Sequence, residues 1–136
     1  MFDLTGMTAL VTGASGGIGS AIARGLAAQG ARLAVSGSNA EKLEAFRASL
    51  GGDHVAVVAD LSDPASVDAL VPAAVEALGG RLDILVNNAG ITRDNLAMRM
   101  KDEEWQQVIS VNLEAAFRLI RAAAKPMMKQ RFGRVI

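Results

Sequence analysis

The sequence has no cysteine, no tyrosine and a single histidine, His54. Because cysteine is absent, disulfides, thiolate metal sites and cysteine nucleophiles are excluded, and the composition fits a reducing compartment. No apolar run is long enough to span a bilayer, and the first residues lack the basic and apolar regions of a signal peptide. We therefore expect a cytoplasmic protein without a membrane partner. His54 has no evident catalytic partner, and we expect it at the surface.

Charge of either sign is not in excess, since 14 Lys and Arg residues balance 14 Asp and Glu residues. This balance gives no reason to expect nucleic acid or an anionic membrane as the main partner. Apolar residues make up 51% of the 136 residues, which suits one globular unit with buried strands.

Short apolar runs alternate with helix-length amphipathic segments, which indicates an α/β protein with a doubly wound parallel sheet. Strands are predicted over residues 8–12, 32–36, 55–59 and 82–86, and residues 134–136 resemble the start of a fifth. The third strand is continuously apolar, which predicts cover on both faces. Since a fifth strand is only begun, we expect residues 1–136 to be the N-terminal portion of one larger domain, truncated at the start of that strand.

Helical spacing predicts which faces are buried. Ile18, Ile22 and Leu26 share one face of a predicted helix over residues 17–29. A helix beginning at Asp63 and Pro64 has the clearest stripe, which comprises Val67, Leu70, Val71, Ala74, Val75 and Leu78. Further helices are predicted from Asn39 to residue 50 and over residues 102–128, the latter with a break near Asn112.

A glycine-rich turn follows the first strand and opens the first helix. Its glycines, Gly13, Gly17 and Gly19, have the spacing G-x3-G-x-G. Glycine lets the backbone approach a phosphate closely, and the free N–H groups at a helix start favour an anion. The turn therefore predicts a site for a dinucleotide pyrophosphate, formed by Gly13, Ala14, Ser15, Gly16, Gly17, Ile18 and Gly19. We expect residues 1–136 to be the N-terminal dinucleotide-binding portion of a single Rossmann-type domain.

Two other motifs follow predicted strands. Asp60 and Leu61 lie just past the third strand, where a carboxylate can accept a hydrogen bond from an adenine amino group. Asn87-Asn88-Ala89-Gly90 ends the fourth strand, where amides can fix a loop and a glycine permits close approach of the cofactor. We expect Asp60, Leu61, Asn88, Ala89 and Gly90 to bind the cofactor and find no candidate metal ligands.

Together, the glycine turn and the Asn-Asn-Ala-Gly motif resemble the short-chain dehydrogenase/reductase family, and the resemblance covers the whole chain. Within that family, residues 88–96, 98–105, 117–119 and 127–134 are similar to the 3-oxoacyl-(acyl-carrier-protein) reductases of bacterial fatty acid synthesis. The resemblance implies transfer of a nicotinamide hydride to a β-ketone. It also implies a homotetramer, and contact of Arg131 with the acyl carrier protein is one reading of the cluster Lys129, Arg131 and Arg134. Compensation of the helix dipole is the other reading.

Of the catalytic residues that the resemblance implies, the chain contains one. Asn112 matches the asparagine that holds a water in the proton relay, in a helix that opens locally there. The Tyr-x-x-x-Lys of the family is absent because the chain has no tyrosine, and the resemblance places the family's serine shortly after Ile136. By itself the chain is therefore predicted to be inactive, whereas its full-length parent is predicted to be a reductase.

The end of the second strand bears on the choice of cofactor. NAD enzymes usually keep an acid there, but this chain has Ser36-Gly37-Ser38-Asn39, which has no carboxylate to repel a 2′-phosphate. NADP(H) is therefore expected, bound through Ser38, Asn39 and backbone amides, with help from Lys42. The arginine that the family often has at the positions of Gly16 or Ser38 is missing.

Two other functions remain open. The parent could be a related reductase, for example one acting on acetoacetyl-CoA, or the chain could be a non-catalytic nucleotide-binding fragment. The motifs specify the cofactor and hydride chemistry better than the substrate.

Overall fold

A computed structural model describes residues 2–136. Its strands are β1 (Thr8–Val11), β2 (Arg32–Gly37), β3 (Val55–Val58), β4 (Ile84–Val86) and β5 (Arg134–Val135). Its helices are α1 (Gly17–Ala28), α2 (Ala40–Leu50), α3 (Pro64–Ala77), α4 (Asp102–Ile109) and α5 (Ala115–Gln130), and a π-helical turn over Ser110–Glu114 joins α4 to α5.

The five strands form one parallel sheet in the order β3-β2-β1-β4-β5. The chain first winds outward from β1 through β2 to β3, then returns to the other side of β1 with β4. This is the predicted doubly wound, Rossmann-type arrangement. No helix within residues 2–136 is both long and apolar enough to cross a membrane.

Each face of the sheet has its own apolar core. Ala9, Val11, Leu33 and Val35 point to the face covered by α1 and α2. Leu10, Ala34 and Leu85 point to the other face, where they meet α3 and α5. Because alternate residues of β1 are buried on opposite faces, the strand is fully covered, as the apolar run predicts.

The sequence assigns the buried faces of most helices correctly. In the α3 stripe, Val75 is half-buried and the other predicted members are buried: Val67, Leu70, Val71, Ala74 and Leu78. The prediction for Ile18 is wrong, because this side chain is 75% exposed while Ile22 and Leu26 pack against the core. Ile18 lies in the first turn of α1, beyond the end of the sheet that the rest of the helix covers.

Some apolar side chains are more exposed than their pattern indicates. In β3, the edge strand of the described sheet, Val55 and Val57 pack against one core and Ala56 against the other, but Val58 is 53% exposed. Trp105 and Phe117 are 61% and 58% exposed. They belong to an exposed apolar stripe along α4 and α5, which comprises Trp105, Leu113, Phe117, Ile120 and Met128.

A buried carboxylate joins the amino ends of the central strands. Asp83, just before β4, is fully buried and accepts a hydrogen bond from Thr8 N–H at 2.9 Å. Arg81 contacts the same carboxylate through Nε and Nη2, each 2.7 Å from Oδ1. Burial by itself raises the pKa of Asp83, but the hydrogen bonds and charge of Arg81, with the hydrogen bonds from Thr8, outweigh it and lower the pKa.

His54 is half-buried and has a structural role that the sequence does not indicate. It lies just before β3, and its Nδ1 accepts the backbone N–H of Leu33 in β2 at 3.1 Å. This side chain thereby extends the β2–β3 hydrogen-bond ladder by one step. The pKa of His54 is lowered, first by burial and then by the charges of Arg32 and Arg47, although Asp53 opposes them.

The His54 contact predicts a pH-dependent stability. Because the folded pKa lies below the ordinary value of about 6.5, His54 stabilises the fold above that value and loses this contribution as pH falls through the folded pKa. His54→Asn keeps an acceptor near the position of Nδ1 but cannot be protonated. Urea unfolding of this variant between pH 7 and pH 5 should show a weaker dependence on pH than that of the wild type. His54→Ala should lose stability at every pH, and equal slopes for wild type and His54→Asn would contradict the prediction.

Candidate functional site

The carboxyl ends of β1 and β4 form the centre of the candidate site. These strands are paired in register, with Val11 opposite Val86, so the loops that follow them leave the sheet side by side. The chain reverses its winding direction between these two strands. In open parallel sheets, ligands bind in the crevice outside such a switch point.

Thr12 and Asn88 join the two loops. The Thr12 hydroxyl accepts the N–H groups of Asn88 and Ala89 at 3.1 and 3.0 Å. In return, the Asn88 Nδ2 donates to the carbonyl oxygens of Thr12 and Gly13 at 3.0 and 3.2 Å. The glycine turn and the Asn-Asn-Ala-Gly loop are therefore one hydrogen-bonded unit. The role of the Thr12 hydroxyl is not predicted from the sequence, in which Thr12 is a polar residue at the end of an apolar strand.

Two glycines are required for this close approach. Gly13 has a positive φ of 60°, and a Cβ there would lie 2.9 Å from Ala89 Cα. At Gly19, a Cβ would lie 2.5 Å from Asn88 Nδ2 and would also overlap the Gly13 carbonyl oxygen. Gly17 has nothing within 4 Å, so its small size leaves the mouth of the site open.

A cavity of about 760 Å³ opens at this crevice. It is lined by twelve of the predicted cofactor residues: Gly13, Ser15, Gly16, Gly17, Ile18, Gly19, Ser38, Asp60, Leu61, Asn88, Ala89 and Gly90. Ala14 is absent from the lining because it is fully buried, and its N–H donates to Ser36 O at 3.0 Å. The contribution of Ala14 is therefore to the shape of the turn.

One end of the cavity lies against the ends of β2 and β3, where Ser38, Lys42 and Asp60 line it. Asn39, which the sequence analysis also expects here, is not part of the lining. Its Oδ1 instead accepts the Lys42 N–H at 2.9 Å and caps α2. Hydrogen bonds from the Ser62 hydroxyl and N–H lower the pKa of Asp60, so its carboxylate is ionised at neutral pH.

The opposite end is formed by residues that the sequence analysis does not identify. Beyond Gly90, the cavity is lined by Ile91, Arg93, Gln107 and Val111. The Arg93 Nε donates to Gln107 Oε1 at 2.9 Å, which ties the loop after β4 to α4. The two residues are 14 positions apart on different elements, so the sequence carries no signal for their contact.

Asn112 lies in the π-helical turn, where the sequence predicts a break in the helix. Its Oδ1 accepts the Ile91 N–H and its Nδ2 donates to the Ile91 carbonyl, both at 2.8 Å. The asparagine side chain therefore satisfies both backbone groups of a residue that lines the cavity. Such turns widen the helix locally and often occur at functional sites.

The basic residues at the end of α5 lie apart from the cavity lining. Arg131 is exposed and ends the helix with a left-handed backbone, at φ 55° and ψ 29°. Lys129, in the last turn, and Arg134, in β5, are exposed as well.

The residues present fit a dinucleotide. The N-terminus of α1 opens onto the cavity without an acidic residue in its first turn, so the helix dipole and free N–H groups favour a phosphate. Gly13 and Gly19 let the glycine turn pack against the loop of Asn88 and Ala89, and a Cβ at either position would collide with it. The volume also falls within the range of about 300–1,000 Å³ that is typical of ligand pockets.

The sequence of this chain matches the short chain dehydrogenase family over residues 7–136. It is 54% identical to nodulation protein G of Rhizobium sp. (strain N33) over all 136 residues, which are 55% of that protein. It is also 49% identical to the 3-oxoacyl-(acyl-carrier-protein) reductase FabG of Escherichia coli (strain K12), over 98% of this chain and 54% of that protein. The chain thus spans about half the length of the curated relatives it matches.

Solved structures show the same fold. A putative betaketoacyl-ACP reductase superimposes with a TM-score of 0.90 at 38% identity, over 98% of this chain and 54% of that one. A metagenomic short-chain oxidoreductase in complex with NADP gives a TM-score of 0.90 at 40% identity, over 97% of this chain and 61% of that one.

Proposed function

The chain belongs to the short-chain dehydrogenase family, and we propose from this premise that it forms the NADPH-binding portion of a 3-oxoacyl-(acyl-carrier-protein) reductase. Residues 1–136 would be the N-terminal part of a single Rossmann-type domain in a longer protein. The relatives named FabG, which match nearly the whole chain, support this assignment.

The observation that carries the proposal is the hydrogen-bonded unit of the glycine turn and the Asn-Asn-Ala-Gly loop. It creates a cavity at the switch point of the sheet with a helix N-terminus on one wall. In our proposal, the pyrophosphate binds at Gly13 and residues 15–19, and Ala14 keeps the turn in shape. Asp60 and Leu61 bind the adenine, and Asn88, Ala89 and Gly90 lie against the nicotinamide-bearing half.

The preference for NADPH is proposed from the ribose end of the cavity. Ser38 and Lys42 line this end, and no carboxylate follows β2 directly to repel a 2′-phosphate. The Lys42 ammonium would pair with that phosphate. Asn39 contributes by capping α2, which fixes the position of Lys42. The similar structure of a metagenomic short-chain oxidoreductase in complex with NADP supports the same cofactor.

When bound, NADPH supplies a hydride to the ketone carbon of the substrate. The residues of this chain orient the cofactor and hold the proton relay. Asn112 fixes the loop at Ile91 and keeps the π-helical turn open, and we propose that the opened turn holds a water of the relay. The proton donor itself, a tyrosine in this family, is not among the 136 residues, so the chain alone is proposed to be inactive.

The test of this function is the cofactor preference of the full-length protein with an acetoacetyl thioester as substrate. We expect kcat/KM with NADPH to exceed that with NADH, and Lys42→Ala to lower the preference about tenfold through loss of one charged hydrogen bond. Lys125→Ala, a lysine of α5 outside the cavity, is the matched control and should leave the preference unchanged. A wild-type preference for NADH would overturn the proposed cofactor.

The carrier protein, the assembly and the location complete the proposal. Arg131 is exposed at the end of α5 with Lys129 and Arg134 nearby in sequence, which suits contact with an acidic carrier.

The exposed stripe Trp105, Leu113, Phe117, Ile120 and Met128 would be covered in a homotetramer. We propose a cytoplasmic enzyme. Higher turnover of a CoA-linked than of a carrier-linked substrate would favour the alternative of an acetoacetyl-CoA reductase.

A further inference from the structure

Arg93 is an exposed cation at the end of the cavity opposite Lys42, and two hydrogen bonds orient its guanidinium. Its Nε donates to Gln107 Oε1 at 2.9 Å, and its Nη1 donates to the Thr92 carbonyl at 2.8 Å. Both partners are neutral. A guanidinium has five N–H donors, so these contacts orient the group and leave donors on Nη1 and Nη2 available.

The charge of Arg93 is not neutralised by an ion pair. Within residues 2–136, no carboxylate oxygen lies within 4.0 Å of its guanidinium nitrogens. The Glu104 Oε2 accepts hydrogen bonds from the Lys101 N–H at 2.7 Å and from the Asn95 amide at 3.3 Å. These bonds lower the pKa of Glu104, and the charge of Arg93 adds to the lowering. A positioned, unpaired guanidinium on a cavity wall is suited to an acceptor oxygen of a ligand.

The proposed cofactor does not account for Arg93. Its anionic groups lie elsewhere in our assignment, with the 2′-phosphate at Ser38 and Lys42 and the pyrophosphate at the glycine turn. Arg93 lies beyond Gly90, beside Ile91 and Gln107. The nicotinamide ring carries no negative charge, so a guanidinium there is not needed to neutralise the cofactor.

A 3-oxoacyl thioester has two carbonyl oxygens, at C1 and at C3. Reduction adds a hydride to C3 and a proton to the C3 oxygen, whereas the C1 carbonyl stays unchanged. The C1 oxygen therefore needs a hydrogen-bond donor that does not give up its proton. Arginine meets this requirement because its guanidinium stays protonated in proteins.

We propose that Arg93 binds the C1 thioester carbonyl oxygen of the acyl substrate and thereby selects 3-oxoacyl thioesters. Gln107 is its positioning residue. The assignment rests on the proposed function and adds to it a substrate contact on this chain.

The experiment measures steady-state kinetics of the full-length protein with NADPH and acetoacetyl-CoA, together with NADPH binding by fluorescence titration. Arg93→Ala and Arg93→Gln should raise KM for the thioester about tenfold, the value of one charged hydrogen bond, and leave the Kd for NADPH unchanged. Arg93→Lys should recover part of the loss. The matched control is Arg99→Ala, since Arg99 is exposed in the same loop but does not line the cavity.

The outcomes separate this assignment from the proposed function. An active wild type whose KM is unaffected by Arg93→Ala and Arg93→Gln overturns the role of Arg93 alone, as does an equal loss of NADPH binding. A wild-type protein that binds NADPH but reduces neither CoA-linked nor carrier-linked 3-oxoacyl thioesters overturns the proposed function, and the role of Arg93 with it.

Discussion

Replacing Gly19 with alanine is expected to abolish binding of the dinucleotide. The added Cβ would lie 2.5 Å from Asn88 Nδ2 and would overlap the Gly13 carbonyl oxygen, so the glycine turn and the Asn88 amide must move apart. Both groups belong to the hydrogen-bonded unit that shapes the cavity. We expect a loss of NADPH affinity of at least about 100-fold, or ~2.7 kcal/mol. The strain of an overpacked site should also lower the free energy of unfolding by about 1–3 kcal/mol.

Gly25→Ala is the matched control for this variant. Gly25 lies in the same helix, α1, but is exposed and has no atom within 4 Å of a built Cβ. Its replacement should leave NADPH binding unchanged and raise stability by about 0.5–1 kcal/mol, because alanine loses less backbone entropy in a helix. Fluorescence titration with NADPH measures both variants. Binding by Gly19→Ala that equals that of the wild type would refute the proposed cofactor cradle.

The second large effect is expected at Asp83. Asp83→Ala removes a fully buried carboxylate and leaves the Thr8 N–H without its acceptor inside the protein. Arg81 is half-exposed and can turn to water, so we expect a loss of about 2–4 kcal/mol in the free energy of unfolding. The depressed pKa adds a pH signature. The carboxylate stabilises the fold above its unfolded pKa, and the contribution is lost as pH falls through the lower folded pKa.

Asp53→Ala is the control for Asp83→Ala, because it also removes an aspartate that pairs with an arginine. Asp53 pairs with Arg32 at 3.0 Å, but its side chain is 83% exposed, and such surface pairs contribute at most about 1 kcal/mol. Urea unfolding of the full-length protein at neutral pH measures both variants. A loss at Asp83 no larger than that at Asp53 would show that the Asp83 network does not stabilise the sheet.

The sequence predicts the elements of this fold well because their signals are local. Asn39 and Asp63 cap the helices that they are expected to cap, and the α3 stripe is buried or half-buried as its spacing predicts. The exposure of residues at the ends of helices and in edge strands is predicted less well. Ile18 has the right spacing for burial but lies past the end of the sheet. The apolar run of β3 does not reveal that β3 is an edge strand of the sheet formed by residues 2–136.

In the candidate site, too, the sequence predicts residues of local motifs better than contacts between distant residues. Residues that belong to short motifs are predicted from the sequence, and all of the predicted cofactor residues except Ala14 and Asn39 line one cavity. Arg93 and Gln107 were missed because their contact joins a loop to a helix 14 residues later. The sequence predicts a break near Asn112, whereas its pairing with Ile91 depends on how α4 packs beside the loop after β4.

The α/β class, the family resemblance and the glycine turn can be predicted from the sequence, because periodicity and motifs lie in contiguous residues. What surrounds that turn depends on how distant parts of the chain pack. Thr12, Gly13 and Asn88 meet because β1 and β4, more than 70 residues apart, are adjacent and in register. The placement of Lys42 and Arg93 at opposite ends of the cavity likewise follows from strand order, which no local pattern encodes.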